Sequence, residues 1–323
     1  TFARPPLRRQ WRLQRRAWRE ALRLGAGVYH LHDPHLIPLG LALKARGARV
    51  IYDVHEDYRE HARTKLAGKP VRAHAKSGLW LALEALARRS FDRFVCVSEP
   101  IASRFPAGRV AIVRNYPRVD ELADPTAPPY RDRPPTVVFV GVTTRWRGFL
   151  DAVRAIEVVP DRLDCRLRLV GSVRPAQLVA EAATLPGWRR VEVVPWQPRA
   201  GVARELGRAR IGLAAFHPVP NQCDPSGSNK LYEYMAAGLP VIVADHGGWR
   251  GLIESAGCGL AVDARDPRAI AGAIEHLLSR PDEAEEMGRR GRALVESRCN
   301  WDAELERLLW LYGTLNGHRS PAP

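Results

Sequence analysis

The sequence predicts an α/β protein made of two doubly wound, Rossmann-like domains that face a cleft. Short apolar runs rich in β-branched residues alternate with helical stretches along nearly the whole chain. Runs this apolar are typical of strands covered on both faces, as in parallel sheets. A segment dense in proline and charge divides the alternation into two series, and 323 residues are enough for two domains with their own cores.

Four predicted strands precede the dividing segment: 28–33, 48–56, 93–99 and 110–115, with a predicted helix at 78–90. The apolar runs end in polar side chains, among them His32, Asp33, Asp53, His55 and Glu56. Open parallel sheets bind ligands at the carboxyl ends of their strands. Any one of these residues could simply mark a strand leaving the core, but the set together favours the floor of a binding cleft.

Residues 116–135, "YPRVDELADPTAPPYRDRPP", form the dividing segment and are predicted to be a linker. Six further strands are predicted after it, at 136–141, 166–171, 191–196, 211–216, 240–245 and 258–263. Helices are predicted between them at 148–158, 199–208, 229–237 and 267–279. This second series supports a second doubly wound domain.

Composition narrows the possible partners. The net charge of +15 favours anionic ones: phosphorylated small molecules, anionic lipid surfaces or nucleic acid. No zinc-finger, RRM or helix-turn-helix pattern is present, so no nucleic-acid partner is expected. Five scattered cysteines without a C-x-x-C pair indicate a reducing compartment. No apolar run is long enough to cross a bilayer, and a cytoplasmic location is predicted.

The stretch "SNKLYEYMAAGLPVIVAD", residues 228–245, predicts a short helix that leads into a buried strand. Ser228 stands at the N-cap, so first-turn N–H groups would face an incoming anion. Lys230 in the first turn is unfavourable to the helix dipole unless an anion compensates it. Glu233 shares its face and could accept hydrogen bonds from ribose hydroxyls.

Glycines flank this helix and its strand. "DPSG" comes before the helix, and Gly247 and Gly248 follow the strand, where bare backbone can approach a ligand closely. A solvated ion pair between Lys230 and Glu233, worth a few tenths of a kcal/mol, would not explain the glycines on both sides. The pattern therefore indicates a site for a phosphorylated ligand that carries hydroxyl groups.

"SNKLYEYMAAGLPVIVAD" with "HGG" after it resembles the donor-site signature of GT-B glycosyltransferases, specifically the retaining family 4 group. "FVGVTTRWRGFLDAVRAI", "RLRLVGSV" and "NWDAELERLLWLY" are similar to other family segments, as are "VYHLHDP" and "VIYDVHED" in the first half. The resemblance implies a metal-independent hexosyltransferase of cell-envelope polysaccharide biosynthesis. It would move a sugar from a UDP- or GDP-linked donor to a glycan, lipid or other hydroxyl acceptor, with no cofactor.

The resemblance also assigns residues to roles. The implied catalytic residues are His55, Arg147 and Lys230. The implied donor-binding residues are Gly141, Arg145, Arg147, Trp196, Gly227, Ser228, Lys230, Glu233, Gly247 and Gly248. The implied acceptor-side residues are His32, Asp33 and Glu56. The resemblance implies no metal ligands. A cluster of possible ligands occurs at His30, His32, Asp33 and His35, but it is only weak evidence for a metal site, because a strand places Asp33 on the face opposite to His30 and His32.

Three features depart from the family pattern. Pro225 stands where the first of two glutamates is usual in the family. Val142 stands where an arginine is usual, so Arg145 or Arg147 would have to take the role of that arginine. The first domain is predicted to be incomplete at its N-terminus. The expected domains are 1–127 on the acceptor side, 128–300 on the donor side, and a C-terminal helix at 301–323 that crosses back to the first domain.

Two alternative functions stay open: a nucleotide-sugar-binding subunit without turnover, and a nucleotide-sugar epimerase on the same fold. A dinucleotide-dependent dehydrogenase is disfavoured because "GAG" at 25–27 precedes a strand instead of following one. The basic amphipathic stretch 7–24 either packs on the first sheet or lies on an anionic membrane at the cytoplasmic face. The basic loop 59–76 could meet an anionic or lipid-linked acceptor.

Overall fold

The computed structural model describes residues 7–57, 70–218, 225 and 228–315. The chain divides into two compact units, Thr1–Val113 with Leu305–Pro323, and Arg114–Glu304. Each unit has its own parallel sheet and its own hydrophobic core. The α/β fold class predicted from the alternation is therefore confirmed.

The described residues of the first unit form a four-stranded parallel sheet in the order β1-β2-β3-β4. Its strands are β1 (Val28–His32), β2 (Arg49–Val54), β3 (Arg93–Cys96) and β4 (Val110–Ile112). Its helices are α1 (Leu7–Leu24), α2 (Ile37–Lys44), α3 (Pro70–Ser90) and α4 (Glu99–Ala102). The last helix that the structure describes, α12 (Trp301–Leu315), begins in the second unit and ends in the first.

Alternation along β1 and β2 gives this sheet two different faces. Leu31, Val50, Tyr52 and Val54 belong to the core cluster of the first unit. The intervening positions, from His30 onward, lie on the opposite face. One face is thus hydrophobic core, and the other carries the polar side chains at the strand ends.

The amphipathic helix α1 packs as the plainer interpretation of 7–24 predicts. Trp18 and Leu22 contact the core of the first unit, while Arg12, Arg15 and Arg19 are exposed. The side chains of Leu7 and Trp11, on the same predicted stripe, lie outside the described residues. Among the residues the structure describes, no helix combines the length and the apolar character that a bilayer span requires.

The described residues of the second unit form a six-stranded parallel sheet in the order β10-β9-β8-β5-β6-β7. The strands are β5 (Thr136–Thr143), β6 (Arg166–Val173), β7 (Val191–Val194), β8 (Ile211–Ala214), β9 (Val241–Ala244) and β10 (Gly259–Val262). The helices are α5 (Phe149–Val158), α6 (Gln177–Ala183), α7 (Arg199–Gly207), α8 (Asn229–Ala236), α9 (Trp249–Ala256), α10 (Pro267–Ser279) and α11 (Pro281–Ser297). The strand order reverses between β5 and β8, which is where doubly wound sheets bind ligands.

The segment predicted to be a linker, 116–135, is part of the second unit and contributes to its core. Leu122 and Tyr130 are buried in that unit's core. The Tyr130 hydroxyl donates a hydrogen bond of 2.9 Å to the carbonyl oxygen of Arg210. Proline and charge in this segment therefore mark irregular backbone on a packed surface and not a free connection.

Candidate functional site

Two glycines form a bare backbone surface at the reversal point of the second sheet. Gly141 near the end of β5 has φ 100°, and its neighbour Gly171 on β6 has φ 135°, a region that side chains disfavour. A Cβ atom at Gly171 would lie 2.4 Å from the carbonyl oxygen of Gly141. One at Gly141 would lie 2.7 Å from Cε of Lys230. The lysine side chain therefore lies directly over this glycine.

Lys230 enters this position from the first turn of α8. Ser228 is the N-cap as predicted, and its backbone N–H donates to the carbonyl oxygen of Pro225 at 2.9 Å, although its side chain caps no N–H group. Burial lowers the pKa of Lys230 to about 8, and the nearby positive charge of Arg147 adds to the effect. Among the residues described, no hydrogen bond or ion pair holds the Lys230 ammonium. This partly buried cation is well suited to an anionic ligand.

Glu233 lies on the same face of α8 as predicted, but its carboxylate pairs with a different cation. Arg199, in the first turn of α7, donates from Nη1 to Glu233 Oε1 at 2.5 Å, and its Nε lies 3.2 Å from Glu121 Oε2. Glu233 is buried, and this contact fixes its orientation. Sequence reasoning missed Arg199, although a basic residue opening a helix after a strand end is a recognisable signal.

These side chains surround a cavity of about 310 Å³ in the second unit, within the size range of small-molecule sites. The described residues lining it are Val140, Gly141, Val170, Gly171, Trp196, Gln197, Arg199, Val202, Asn229, Lys230 and Glu233. Trp196 is 76% exposed at its rim, which leaves an aromatic face available to a planar ligand group. Four predicted donor-site residues are therefore brought together here: Gly141, Trp196, Lys230 and Glu233.

The turn after β5 separates the two predicted arginines. Gly148 has φ 70°, and a Cβ there would lie 2.3 Å from the carbonyl oxygen of Ala215, so the turn is held against the end of β8. Arg147 donates to the carbonyl oxygen of Val142, and its charge acts on Lys230. Arg145 is exposed and pairs with Glu181 on α6. Only Arg147 of the two is electrostatically coupled to the cavity.

Two of the remaining predicted donor residues, Gly247 and Gly248, lie at the start of α9. Gly247 has φ 54°, and Gly248 is the N-cap of α9, where a Cβ atom would lie 3.1 Å from Cδ of Pro225. Ser228, Gly247 and Gly248 are not among the described residues that line the cavity. Gly227 lies outside the described residues.

A second polar cluster lies at the carboxyl ends of β1 and β2 in the first unit. His32 pairs in register with Asp53, so their side chains project from the same face, which His30 and His55 share by alternation. Asp53 Oδ2 lies 3.4 Å from His30 Nε2 and 3.2 Å from His32 Nδ1. His55 Nε2 lies 3.1 Å from His32 Nδ1. Three imidazoles thus surround one carboxylate.

Burial and neighbours constrain this cluster further. The side chain of Asp53 is 9% exposed, and the rings of His30 and His32 stack with centroids 4.4 Å apart. His30 Nδ1 lies 2.7 Å from the Tyr312 hydroxyl of α12. Burial, followed by the charge of His30, lowers the pKa of His32. The neutral imidazole is therefore favoured at His32.

The other predicted acceptor-side residues are placed differently. Asp33 follows β1 with φ 128°, a strained value for a residue with a side chain, and its carboxylate accepts a hydrogen bond from the backbone N–H of His35 at 3.1 Å. Glu56 is exposed just beyond β2. The structure thus joins the predicted His32 and His55 to His30 and Asp53, with Asp33 turned toward its own chain.

The two parallel sheets, with glycine-rich strand ends and a basic cavity at the reversal point, define the GT-B class of glycosyltransferase fold. The chain belongs to the family described as glycosyl transferases group 1, whose model matches residues 122–294. A second model, glycosyltransferase family 4, matches residues 1–115. The family predicted from the signature at 228–245 is thereby confirmed.

Individual known proteins are similar over different shares of the chain. D-inositol 3-phosphate glycosyltransferase of Acidothermus cellulolyticus is 32% identical over 187 residues, which are 54% of this chain and 40% of that protein. The sucrose-phosphate synthase structure from Thermosynechococcus elongatus has a TM-score of 0.70 at 21% identity, covering 91% of this chain and 74% of its own. Anabaena Alr3699/HepE in complex with UDP has a TM-score of 0.69 at 14% identity, covering 94% and 81%.

These likenesses carry different weight. The solved structures are too distant in sequence to show more than the fold. The chain spans less than half the length of the curated relatives it matches.

Proposed function

We propose that the chain is a retaining glycosyltransferase that moves a hexosyl group from a UDP- or GDP-linked donor to a hydroxyl of a glycan, a lipid or another acceptor. One observation carries the proposal: the Lys230 ammonium lies partly buried over bare glycine backbone, at the reversal point of a six-stranded sheet. A diphosphate would supply the missing negative charge. Family membership supports the same reaction class.

The proposed donor site divides the nucleotide sugar among the cavity residues. Lys230 and Arg147 would bind the pyrophosphate and stabilise charge that develops on the departing nucleotide. Glu233, oriented by Arg199, would accept hydrogen bonds from ribose hydroxyls. Trp196 would lie against the base. Gly247 and Gly248 would offer backbone N–H groups to phosphate or sugar, whereas the Ser228 N–H already donates to Pro225 and Gly227 lies outside the described residues.

The proposed acceptor side is the cluster of the first unit. His55 would lie beside the transferred sugar, and His32, Asp33 and Glu56 would face the acceptor hydroxyl. The departing phosphate would take the acceptor proton, so the protein contributes positioning and charge stabilisation. The solved Alr3699/HepE complex contains UDP, and the name of the A. cellulolyticus relative includes D-inositol 3-phosphate. The UDP complex supports a nucleotide-linked donor, and the name of the relative supports a polyol-like acceptor.

The test is calorimetric binding of a panel of UDP- and GDP-sugars to the purified chain, followed by assay of free nucleotide and glycosylated product. Tight binding of one donor with turnover is expected, and Lys230→Ala should abolish that binding while the protein stays folded. Arg289→Ala is the matched control, because Arg289 is 71% exposed and paired with Glu286 on α11. Unchanged donor binding in folded Lys230→Ala would exclude the proposed site.

The same assays separate the two alternatives. A binding subunit would bind the donor but release no free nucleotide. An epimerase would convert the donor without forming a glycosylated product. Binding of neither UDP- nor GDP-sugars would refute all three functions.

We propose in addition that α1 contacts an anionic membrane surface at the cytoplasmic face. Its arginines at 12, 15, 16, 19 and 23 are exposed. Basic helices of this kind bind anionic lipid electrostatically. Co-sedimentation with phosphatidylserine vesicles should fall when Arg15, Arg16 and Arg19 are replaced by alanine, and unchanged co-sedimentation would refute this contact.

A further inference from the structure

We propose that His30, His32 and Asp53 form a binding site for a divalent transition-metal ion of the Zn²⁺ type, with His55 adjacent to the fourth coordination position. One ligand atom from each of the three residues lies within 4.8 Å of the others. The site lies in the first unit and shares His32 and His55 with the proposed acceptor side, but metal binding can be measured without sugar transfer. Imidazole nitrogen with one carboxylate oxygen is a ligand set typical of zinc.

Two of the three spacings between the ligand atoms are close to those around a tetrahedral zinc ion. Ligand atoms about 2.0–2.2 Å from a tetrahedral zinc ion lie roughly 3.3–3.5 Å from one another. Asp53 Oδ2 is 3.4 Å from His30 Nε2 and 3.2 Å from His32 Nδ1, close to those values. His55 Nε2, 3.1 Å from His32 Nδ1, is near enough to act as a fourth ligand.

Two buried polar atoms of the cluster have no hydrogen-bond partner. His32 Nδ1 faces both Asp53 and His55, yet a neutral imidazole has one N–H and can satisfy at most one of them from that atom. His30 Nε2 and Asp53 Oδ1 are buried without a hydrogen-bond partner, and His55 Nε2 lies 3.5 Å from Asp53 Oδ1. Three imidazole nitrogens and the Asp53 carboxylate thus converge on one region in which the hydrogen bonding is incomplete. A metal cation would bind these nitrogen and oxygen atoms together.

The surroundings are arranged as around a metal site. Tyr312 contacts His30 at Nδ1, at 2.7 Å, which leaves Nε2 to point at Asp53. Metal-bound histidines commonly hold their second ring nitrogen in this way, which fixes the ring and its tautomer. Asp53 is nine-tenths buried while His32 is 56% exposed, so the carboxylate is shielded and the site has a path to solvent.

The register of the two strands explains why these residues meet. His32 and Asp53 are opposite one another in the parallel pair, and His30 and His55 follow at alternate positions on the same face. Asp33, the carboxylate nearest to the histidines in sequence, instead caps the turn at His35. The ligand set is therefore built across two strands.

The test is Zn²⁺ binding to the full chain after removal of metal with a chelator and dialysis, measured by calorimetry. One Zn²⁺ per chain is expected. His32→Ala, a change at an exposed side chain, should weaken binding at least a hundredfold without loss of fold by circular dichroism. Tyr312→Phe should weaken it roughly 10- to 100-fold by freeing the His30 ring. His276→Ala, a change at a partly exposed histidine of the second unit, is the control and should leave Zn²⁺ binding unchanged.

Substitution with Co²⁺ gives an independent readout of the ligand set. The intense visible bands of tetrahedral cobalt are expected in the unaltered chain and should be lost in His32→Ala and Asp53→Asn. A chain that binds no Zn²⁺, or a folded His32→Ala that binds it as tightly as the unaltered chain, would overturn the site. In that case the cluster is a hydrogen-bonded network that shares protons around Asp53.

Discussion

Replacing Lys230 with methionine should make the second unit more stable and at the same time remove donor binding. Burial lowers the Lys230 pKa from 10.5 to about 8, and one pKa unit corresponds to about 1.4 kcal/mol. The charged amine therefore disfavours the folded state at pH 7 by about 3 kcal/mol. Methionine keeps an unbranched chain over Gly141 without the charge, and lost contacts reduce the net gain to about 1–3 kcal/mol.

The sign of the pH dependence follows from which state binds the proton. Between pH 8 and 10.5 the unfolded lysine is protonated and the folded lysine is not, so stability of the unaltered protein rises with pH in that window. Below pH 8 the penalty is fully present. The advantage of Lys230→Met should therefore be largest at pH 7 and shrink as the pH approaches 10.5.

Differential scanning calorimetry of the second unit measures this effect. For a unit of this size, about 1 kcal/mol shifts the Tm by roughly 2–4 °C. The matched control is Lys44→Met in the first unit, because Lys44 is paired with Asp92 at 2.6 Å and its loss should destabilise the protein. A lower Tm for the second unit in Lys230→Met at pH 7 would refute the claim that Lys230 is held in an unfavourable environment.

Donor binding supplies the second half of the prediction. A diphosphate beside Lys230 should restore its proton, so binding at pH 8 should take up about half a proton and binding at pH 6.5 almost none. Calorimetry in buffers of different ionisation enthalpy measures this uptake directly. Equal uptake at the two pH values, or uptake that persists in Lys230→Met, would show that another group is responsible.

Three further changes test the rest of the donor site. Arg147→Ala should weaken donor binding roughly tenfold or more, as loss of a charged hydrogen bond does. Arg145→Ala should change donor binding little, because Arg145 pairs with Glu181. Equal losses of donor affinity in the two variants, measured by calorimetry, would contradict these different roles. Gly141→Ala should cost about 1–3 kcal/mol of stability because of the positive φ at this position, and the added methyl group should displace Lys230. A lower Tm and weaker donor binding are expected. An unchanged Tm would contradict this prediction. Glu233→Gln removes a charge that raises the Lys230 pKa, so the pH at which donor affinity begins to fall should move below 8, and a shift upward would contradict the assignment.

The order of strands and helices could be predicted because each apolar run is long enough to indicate a strand or a helix. All ten predicted strands are present, and the helix at 267–279 has the predicted bounds. Strand ends were predicted too late by one to three residues in most cases, since apolar residues such as Val97 continue past the last ladder hydrogen bond into the core. Local pattern thus fixes element type better than element length.

Side-chain partners depend on contacts that local sequence does not contain. The helix spacing correctly places Glu233 on the face of Lys230, but it does not reveal that the carboxylate pairs with Arg199, 34 positions away in the sequence. Asp53 and His32 meet only because β1 and β2 pair in one particular register. The alternation in "YHLH" and "YDVH" shows which residues share a face of each strand, but the register between strands is a tertiary property.

Both clusters have an electrostatic defect that the surrounding fold holds in place. Among the described residues of the second unit, the desolvated Lys230 ammonium has no hydrogen-bond or ion-pair partner, and in the first unit buried atoms of His30 and Asp53 lack hydrogen-bond partners. A parallel sheet can keep such unfavourable side-chain arrangements in place, because its backbone hydrogen bonds and apolar faces fix the strand ends independently of the polar side chains. Each defect is relieved by a ligand of opposite character, an anion at Lys230 and a cation at Asp53. The two clusters should therefore respond to different ligands, and donor binding and Zn²⁺ binding should each stabilise the unit that contains the site.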